Sequence, residues 1–532
     1  MTLRSPDRLA RLLDVASVAT PAVLAAVLVL VDLGSRSIWL DESASVTIAS
    51  QHGAALAAAM AHDGGNMLAY YALLHVLVGA FGRGVLVLRA PSAVAATLAV
   101  LAVSVLARRL YDRRVAFVSG VLSAVSLPLV FWGQDARAYA PLLALVAASF
   151  LAFVALVERA PGSPSSRVTW TAYVVVTTLA LYMSVIAALA IAAQVVVLAT
   201  RRERARTVLA ALVLVALCAA PLAYLAKARG SGQLFWLPAP SLSQVGGIVE
   251  TVTSAAFTPD FARTPTSSVL EWGTVVLLAV FAAAPWIARL RRAGAARARV
   301  LGPHERLRRH VLLAWLATPV LLALAESAVG QPIADPRNLL IAMPPVGIAL
   351  AAVAVGDELG PPRRPTRYAA LGWCLAAALV ALRALQLAPS YAVSPENWRV
   401  AVAYVLDTAR PGDCVAFYPE DGRMAFAYYL PGGPAARPAP RSVLPAAAWG
   451  VDPPYVERYA TLTRARLDRV SASCTRLFLV ASHQGLRTGT SGSVAHLRRY
   501  EALAAHIASH YAHRRVARFG YAAVIDVTVY AH

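Results

Sequence analysis

The chain has 532 residues, of which 58% are hydrophobic and 14% are charged. Soluble domains carry about a quarter charged residues, so this composition excludes an ordinary soluble protein and indicates a membrane protein. The net charge of +21 comes almost wholly from arginines in short runs between apolar segments. That distribution is typical of cytoplasmic loops and not of a nucleic-acid-binding surface, so we expect no nucleic-acid partner.

Apolar stretches long enough to cross a bilayer recur through the first part of the chain. A hydrocarbon core requires roughly 20 apolar residues in one helix, within a range of about 17–25. Residues 169–199 are too long for one span, and Met183 and Ser184 divide them into two short ones. Nine further spans are predicted at 15–31, 91–107, 115–132, 138–157, 208–225, 269–287, 311–328, 339–355 and 368–385. The predicted fold class is an α-helical polytopic membrane protein with about 11–13 transmembrane helices, and residues 1–388 form its transmembrane module.

Arginine clusters predict which side of the membrane each loop occupies, because short loops rich in Lys and Arg stay in the cytoplasm. With eleven spans, the clusters at the N-terminus and in the later loops fall on one side. The N-terminus is then cytoplasmic, and residues 389–532 are extracytoplasmic. The alanine- and arginine-rich composition is typical of a GC-rich bacterial genome, so we expect a multi-pass protein of a bacterial plasma membrane.

Residues 67–81 form an apolar segment that this topology does not use as a span. The segment is short and carries His75. Counting it as a span would invert every later loop and place the arginine clusters outside. We therefore expect a juxtamembrane or re-entrant helix within a long first outer loop, and the alternative topology stays open.

The tail, residues 389–532, has a different character, with more charge, more proline and shorter apolar runs. Strands and helices are predicted to alternate, which indicates a small extracytoplasmic α/β domain. Cys414 and Cys474 both lie in this tail and could form a disulfide if it is extracytoplasmic. The predicted strands are 414–418, 477–481 and 523–530, the predicted helices are 397–409, 455–470 and 494–511, and the predicted long loop is 431–454.

Two adjacent carboxylates, Asp41 and Glu42, follow the first span. Carboxylates at a membrane surface are costly unless they are hydrated or used, and a carboxylate can act as the general base that deprotonates a hydroxyl. Successive residues of a helix point about 100° apart, so the two groups cannot easily share one task. We assign Asp41 as the base and Glu42 as an orienting group or metal ligand. The alternative is that Asp41 or Ser43 only caps the next helix.

The first outer loop also raises the question of a metal. His62 and Asp63 could bind a divalent metal together with Glu42, but their spacing matches no dedicated zinc signature. A divalent metal therefore stays open, and no other cofactor is predicted. His62 and Asn66 in this loop, and Tyr139 in the second outer loop, are candidates for binding or orienting an acceptor.

Three later loops supply charged candidates on the same predicted side. The second outer loop contains Asp135, a further carboxylate, and Arg137, a cation suited to a phosphate, although the two could simply form a local pair or helix cap. Arg337 lies at the mouth of a later span and is a second phosphate-binding candidate. Lys227 opens the largest outer loop and is a third, although its neighbourhood is more typical of an interfacial belt.

Five sequence blocks carry a resemblance to a known family. In chain order they are WLDES, HDGGNMLAYYALLHVLVGAFG, LRAPSAV, RRLYDRR and FWGQDARAYA, and together they cover about residues 37–139. Their order and spacing resemble the bacterial branch of the GT-C superfamily. The similarity is greatest to the polyprenyl-phosphate-mannose–protein mannosyltransferase-like and aminoarabinose transferase-like families.

The resemblance implies an inverting transfer from a lipid-phosphate sugar, with an active-site cavity at the outer face and no nucleotide-sugar site. It implies that Asp41 is the catalytic base, that Glu42, Asp135 and Arg137 occupy the family's other loop positions, and that Arg337 faces the carrier phosphate. Asn66 departs from the aminoarabinose branch, which has a basic residue there followed by prolines, so that sugar is disfavoured.

The expected function is therefore that of a glycosyltransferase at the outer membrane face. It would move a sugar, with mannose or arabinose favoured, from a polyprenyl-phosphate carrier to an envelope glycan, glycolipid or protein acceptor. Two alternatives remain, a transporter or flippase of lipid-linked sugars and an inactive envelope scaffold. A transporter would favour repeat symmetry and charged residues within the spans, and neither is evident in the sequence.

Overall fold

The computed structural model comprises a helical membrane module followed by a small α/β domain. α16, the last helix of the membrane module, ends at Ser390, close to the domain boundary predicted at 388/389. The structure describes residues 5–158, 164–229, 237, 240–255, 265–292, 302–356, 367–430, 439–450, 458–487, 490–521 and 523–532.

In its described residues the membrane module contains helices and no strands, and two of these helices are short 3-10 helices at Arg202–Arg204 and Asn338–Ala342. Its sixteen α-helices, in chain order, are α1 (Ser5–Leu30), α2 (Leu40–Ala49), α3 (Gly53–His62), α4 (Leu68–Phe81), α5 (Val85–Leu110), α6 (Arg113–Ala124), α7 (Leu127–Gly133), α8 (Tyr139–Glu158), α9 (Pro164–Met183), α10 (Ala187–Ala199), α11 (Ala205–Arg229), α12 (Leu242–Thr253), α13 (Pro265–Arg292), α14 (Pro303–Val329), α15 (Met343–Val355) and α16 (Arg367–Ser390).

Seven helical segments of the described chain are long and apolar enough to cross a bilayer, or eight if α6 and α7 form one bent span. The polytopic α-helical fold is therefore confirmed. The predicted division of 169–199 is also confirmed, because α9 ends at Met183 and α10 begins at Ala187. Three predicted spans fall on α9, α10 and α13, none of which is among the seven, and the number eleven stays a prediction.

The span predicted at 115–132 is not one continuous helix. α6 ends at Ala124, α7 begins at Leu127, and the two axes meet at 62°. Pro128 lies in the first turn of α7. It has no backbone N–H with which to continue α6 by bonding the carbonyl of Ala124, so the helix breaks there.

The break in the helix leaves carbonyl groups that Arg383 of α16 satisfies. Its buried guanidinium donates from Nη1 to the Leu122 carbonyl at 2.9 Å and from Nη2 to the Thr253 carbonyl at 2.6 Å. These carbonyls lie at the C-terminal ends of α6 and α12, where the helix dipole favours a cation. Arg383 thus fixes three helices at the bend.

The segment predicted as juxtamembrane, residues 67–81, forms α4, a helix of 14 residues. At 1.5 Å per residue it is about 21 Å long, shorter than a hydrocarbon core of about 30 Å. Its length supports the interpretation as a helix that does not span, and its depth in the bilayer stays a prediction.

The apolar core of the membrane module lies between α5, α6, α8, α14 and α15. Phe150 of α8 stacks on Trp315 of α14 with 3.9 Å between ring centroids, and Trp315 Nε1 donates to the Ile341 carbonyl at 2.8 Å. Large apolar side chains such as Leu217 and Leu321 are more than 60% exposed on the outer helices, as expected of surfaces that face lipid tails.

The tail folds into a five-stranded mixed sheet with strand order β2-β1-β3-β5-β4. β1 pairs in parallel with both β2 and β3, whereas β5 pairs antiparallel with β3 and β4. The expected α/β domain is confirmed, and a disulfide joins Cys414 to Cys474. The elements are α17 (Trp398–Thr408), β1 (Cys414–Tyr418), α18 (Gly422–Tyr428), β2 (Arg441–Leu444), α19 (Arg464–Ser473), β3 (Arg476–Ala481), α20 (Ser491–Ala508), β4 (His513–Phe519) and β5 (Ile525–Ala531).

Three predictions for the tail need correction. β2 lies inside the predicted loop 431–454, of which the structure describes 439–450. β4 was not predicted, because this mostly exposed edge strand is rich in arginine and carries little apolar signal,. The helix predicted from residue 455 begins at Arg464, and the described residues before it have no regular structure.

Candidate active site

α2 places the two adjacent carboxylates in opposite environments. Trp39 is its N-cap, so Asp41 and Ser43 lie inside the helix and do not cap it. The Glu42 side chain is fully buried, whereas the Asp41 side chain is 32% exposed. The helical angle between neighbouring residues thus separates one internal carboxylate from one that faces open space.

Glu42 forms a buried ion pair with Arg89 of α5. Arg89 Nε and Nη2 each donate to one carboxylate oxygen at 2.8 Å, and the Ala136 backbone N–H donates to Oε1 at 2.8 Å. The remaining Arg89 donors bond the carbonyls of Leu33, Arg36 and Ser37. Burial opposes ionisation of Glu42, but Arg89 outweighs it and holds the pKa of that carboxyl below its ordinary value,. Glu42 therefore joins both outer loops to α5.

Asp135 lies in the loop between α7 and α8 and is almost fully buried. Trp39 Nε1 donates to its Oδ1 at 2.8 Å. Burial, followed by the negative charge of Glu42, raises the pKa of Asp135 well above its ordinary value,. The burial of Asp135 and its bond to the Trp39 indole suit this carboxyl group to holding Trp39 and the loop in place.

Asp41 faces two arginines from different parts of the chain. Its Oδ2 lies 3.3 Å from Arg337 Nη1 and 3.7 Å from Arg137 Nη2. Burial opposes ionisation of Asp41, but Arg137 and Arg337, with a smaller contribution from His483, hold the pKa of its carboxyl below the ordinary value,. The structure thus brings together three residues that the sequence predicted as one site.

Neighbouring groups fix the position of each arginine. Ser92 Oγ of α5 donates to the Arg137 carbonyl at 3.0 Å, and Tyr70 OH lies 3.1 Å from the same hydroxyl. Asp335 accepts from the Arg337 backbone N–H at 3.0 Å and lies 3.3 Å from its Nε. These contacts hold the backbone of Arg137 and both the backbone and the side chain of Arg337, while the two arginine side chains remain 13% and 20% exposed.

The other candidates make no described hydrogen bond or ion pair with the Asp41 carboxylate. Tyr139, the first residue of α8, packs on Trp132 with 4.2 Å between ring centroids. The Asn66 Oδ1 atom is buried and has no hydrogen-bond partner in the described structure. His62 ends α3, where burial and then Arg229 lower its pKa. Lys227 is exposed on the last turn of α11.

The divalent metal that the sequence left open does not fit the described residues. Both oxygens of Glu42 are bound by Arg89, and the nearby charge that acts on His62 is the cation Arg229. No group of three or more His, Cys, Asp or Glu side chains in the described parts of the chain could hold a metal ion.

The sequence interpretation missed three groups that the structure brings to this region. Arg89 lies in the block LRAPSAV, and a lone arginine in an apolar segment is a usable signal for a buried partner. Glu396 and His483 come from the tail. Glu396 Oε2 accepts from the Leu40 backbone N–H at 3.2 Å, and His483 Nε2 lies 3.4 Å from Glu396 Oε1. Their sequence separation from α2 gives no pattern that could have predicted this contact.

Solved structures with a similar fold have low sequence identity to this chain. ArnT from Cupriavidus metallidurans in the apo state has a TM-score of 0.52 and 13% identity, with 96% of this chain and 97% of that chain covered. The oligosaccharyltransferase from Archaeoglobus fulgidus in the apo form has a TM-score of 0.52 and 12% identity, with coverage of 88% and 70%.

A further structure of that archaeal enzyme, AglB in complex with an inhibitory peptide and a dolichol-phosphate, has a TM-score of 0.51 and 13% identity, with coverage of 88% and 69%. No protein-family model matches the sequence, and no curated protein matches it either. The structural likeness extends over nearly the whole chain. The chain therefore shares the fold of ArnT and of the archaeal oligosaccharyltransferase, the GT-C type of fold that the sequence resemblance implied.

Proposed function

We propose that this protein is a glycosyltransferase that moves a sugar from a polyprenyl-phosphate carrier to an acceptor hydroxyl, with inversion and with Asp41 as general base. The observation that carries the proposal is the partly exposed Asp41 carboxylate between Arg137 and Arg337. A base and two fixed cations are the groups needed to deprotonate a hydroxyl and to stabilise a departing phosphate.

The ion pairs of Asp41 suggest how donor binding prepares the base. A carboxylate held by two arginines has a low pKa and accepts a proton poorly. A donor phosphate competes for the same guanidinium groups, because Arg binds phosphate through charge-assisted hydrogen bonds. When Arg137 and Arg337 turn to the phosphate, Asp41 loses its partners and its pKa rises. The base is then strengthened only when the donor is present.

In the transfer itself, the acceptor oxygen attacks the anomeric carbon from the face opposite the phosphate. The bond between that carbon and the phosphate oxygen breaks as the new glycosidic bond forms. Asp41 takes the proton of the acceptor hydroxyl, and the electron pair of the broken bond leaves with the polyprenyl phosphate. Arg137 and Arg337 stabilise the charge that develops on the leaving phosphate, and Lys227 is a third proposed contact to the carrier phosphate.

The fold supports this reaction class, since ArnT and AglB share it and AglB has been solved with a dolichol-phosphate. For the sugar we propose mannose or arabinose, and for the acceptor an envelope glycan, glycolipid or protein, with His62, Asn66 and Tyr139 lining the acceptor side. The Cys414–Cys474 disulfide supports an extracytoplasmic tail,. We accordingly propose a bacterial plasma-membrane protein with a cytoplasmic N-terminus and with residues 389–532 outside.

The test uses purified protein and a panel of polyprenyl-phosphate sugars, with the products identified by mass spectrometry. Wild-type protein should release polyprenyl phosphate and form a glycoside. Asp41→Asn should lower the transfer rate by about 10²–10⁴-fold, the usual contribution of a general base. The matched control is Asp32→Asn, because Asp32 lies just after α1 with a positive φ of 50° that asparagine tolerates, and this variant should transfer normally.

Three outcomes would overturn the proposal. An Asp41→Asn enzyme with a normal rate would remove the base assignment. Wild-type protein that moved labelled lipid across vesicles, independently of Asp41 and without forming a glycoside, would identify a transporter instead. Loss of all binding and transfer in a folded wild-type protein would leave only the scaffold interpretation.

A further inference from the structure

His483 lies at the carboxyl end of the parallel strands of the tail sheet. It follows β3 by two residues, and the Ser482 backbone N–H donates to the Tyr418 carbonyl at the end of β1. Ligand-binding residues collect at this end of parallel strands in open α/β sheets. The sheet thus presents His483 at an edge where binding groups are expected.

The backbone of His483 has an unusual conformation. Its φ of 51° is left-handed, a region that non-glycine residues enter at a cost in free energy,. Such conformations persist where surrounding contacts determine them, and they are concentrated at functional sites. The neighbouring contact is the 3.4 Å approach of His483 Nε2 to Glu396 Oε1.

Glu396 connects this histidine to the helix that carries Asp41. Its side chain is fully buried, and its Oε2 accepts hydrogen bonds from the Trp398 indole and from the backbone N–H of Leu40, the residue before Asp41. A carboxylate this deeply buried requires partners, and the imidazole is one of them. The tail and the first outer loop therefore share one carboxylate beside Asp41.

The two side chains on either side of Glu396 both reach open space. The His483 side chain is 42% exposed and the Asp41 side chain is 32% exposed, while Glu396 between them is closed off. Burial, Arg137 and Arg337 act first on the pKa of Asp41, and the electrostatic influence of His483 adds to its lowering. The geometric link runs from the imidazole to Glu396 and from Glu396 to the backbone N–H of Leu40.

We propose that His483, oriented by Glu396, is an acceptor-binding residue of the active site, so that the tail domain forms the acceptor side of the cavity over Asp41. The inference rests on the proposed glycosyl transfer. Arg137 and Arg337 hold the phosphate on the membrane side of Asp41, and His483 approaches from the tail. Its imidazole hydrogen-bonds an oxygen of a polyhydroxylated acceptor while another hydroxyl of the same molecule meets Asp41.

The deciding variant is His483→Asn, because asparagine removes the imidazole and still tolerates a left-handed backbone. The matched control is His510→Asn in the same domain, where His510 Nε2 lies 2.9 Å from Asp468 Oδ1 on α19 in a similar histidine–carboxylate pair. A second variant, His483→Gln, keeps a hydrogen-bonding side chain at the position. Thermal unfolding of all three, with the disulfide intact, verifies that the tail remains folded.

Two quantities are measured for each variant, namely the Kd for undecaprenyl phosphate and the KM for octyl α-mannoside as acceptor probe, with the donor that wild-type protein uses. His483→Asn should raise the acceptor KM about tenfold, the loss of one good hydrogen bond, and leave the undecaprenyl phosphate Kd unchanged. His510→Asn should change neither quantity. Glu396→Gln should raise the acceptor KM by a smaller factor, because an amide then replaces the carboxyl group that lies beside the imidazole.

A folded His483→Asn protein with a normal acceptor KM would overturn the inference and leave the proposed function standing. His483→Gln, which keeps a hydrogen-bonding side chain, should raise the acceptor KM less than His483→Asn does. An increase in the Kd for undecaprenyl phosphate equal to the increase in acceptor KM would overturn it too, since His483 would then serve the donor or the general structure. Wild-type protein that binds undecaprenyl phosphate without transferring any sugar would overturn the proposed function, and the inference with it.

Discussion

Two carboxylate–arginine clusters lie next to each other on α2, and they differ in almost every physical respect. Glu42 and Arg89 meet through two 2.8 Å hydrogen bonds with both side chains buried. Asp41 meets Arg137 and Arg337 at 3.7 and 3.3 Å with its side chain 32% exposed. The Glu42–Arg89 pair is buried and fully hydrogen-bonded, so its role is to hold the loops together. The Asp41 cluster has longer contacts and is partly exposed, so a ligand can replace Asp41 as the partner of an arginine.

The largest expected effect is a loss of stability when Glu42 loses its partner Arg89. Arg89→Met leaves the Glu42 carboxylate buried without its counter-ion, so the free energy of unfolding should fall by about 3–5 kcal/mol. Arg137→Met removes a partner from a carboxylate that water can reach, so the loss should stay below about 1 kcal/mol. Denaturant unfolding in detergent micelles measures both variants. Equal losses would show that the two clusters do not differ in the way their geometry suggests.

The next effect concerns donor affinity. Arg337→Glu replaces a phosphate-binding cation by an anion, and the Kd for undecaprenyl phosphate should rise about 10–100-fold, the loss of a charge-assisted hydrogen bond. The matched control is Arg487→Glu on the tail, because Arg487 is 85% exposed and pairs with Glu501 on the surface. Isothermal titration gives both values. An unchanged Kd in Arg337→Glu would remove the phosphate assignment.

A smaller effect tests the electrostatics of Asp41 through pH. The active base is the ionised carboxylate, and Arg137 and Arg337 lower its pKa against the opposing effect of burial. Arg337→Gln removes one of these cations, so the pKa of Asp41 rises and the acidic limb of the kcat/KM profile should move to higher pH. A limb that stayed in place, or moved to lower pH, would contradict the ion pair.

The smallest effect is expected from Asp335, which positions Arg337 without touching Asp41. Asp335→Asn keeps an oxygen for the Arg337 backbone N–H but loses the charge beside its Nε. Donor affinity should weaken only about two- to threefold, consistent with a partly exposed ion pair. Binding of undecaprenyl phosphate measures the change. A change as large as that of Arg337→Glu would mean that Asp335 itself belongs to the binding site.

Much of the fold could be predicted because apolar runs and their breaks are local signals. The run from Cys414 to Tyr418 is β1, and the break after Met183 separates α9 from α10. The helix break at Pro128 also has a local signal, the proline itself, but a span predicted from hydropathy alone does not detect it. β4 offered no such signal, because an edge strand rich in arginine resembles a loop in composition.

The candidate site was predictable to the extent that its residues follow spans on one side of the membrane. Asp41, Arg137 and Arg337 belong to three loops, and the arginine clusters placed those loops together. The different environments of Asp41 and Glu42 follow from helical geometry. The partner of Glu42, Arg89, could be identified only from the structure. The contacts of Glu396 and His483 from the tail could not be predicted, because a contact across several hundred residues depends on how two domains dock.

The attachment of the tail has a consequence for how the protein can be studied. Arg399 Nη1 and Nη2 bond the carbonyls of Ser35 and Gly34, and the Arg399 backbone N–H donates to Ser37 Oγ. These contacts satisfy the backbone that leads into α2. A protein truncated after α16 would leave that stretch of chain unsupported, so a membrane module produced alone should lose the alignment of its reactive carboxylate even though every transmembrane helix is present.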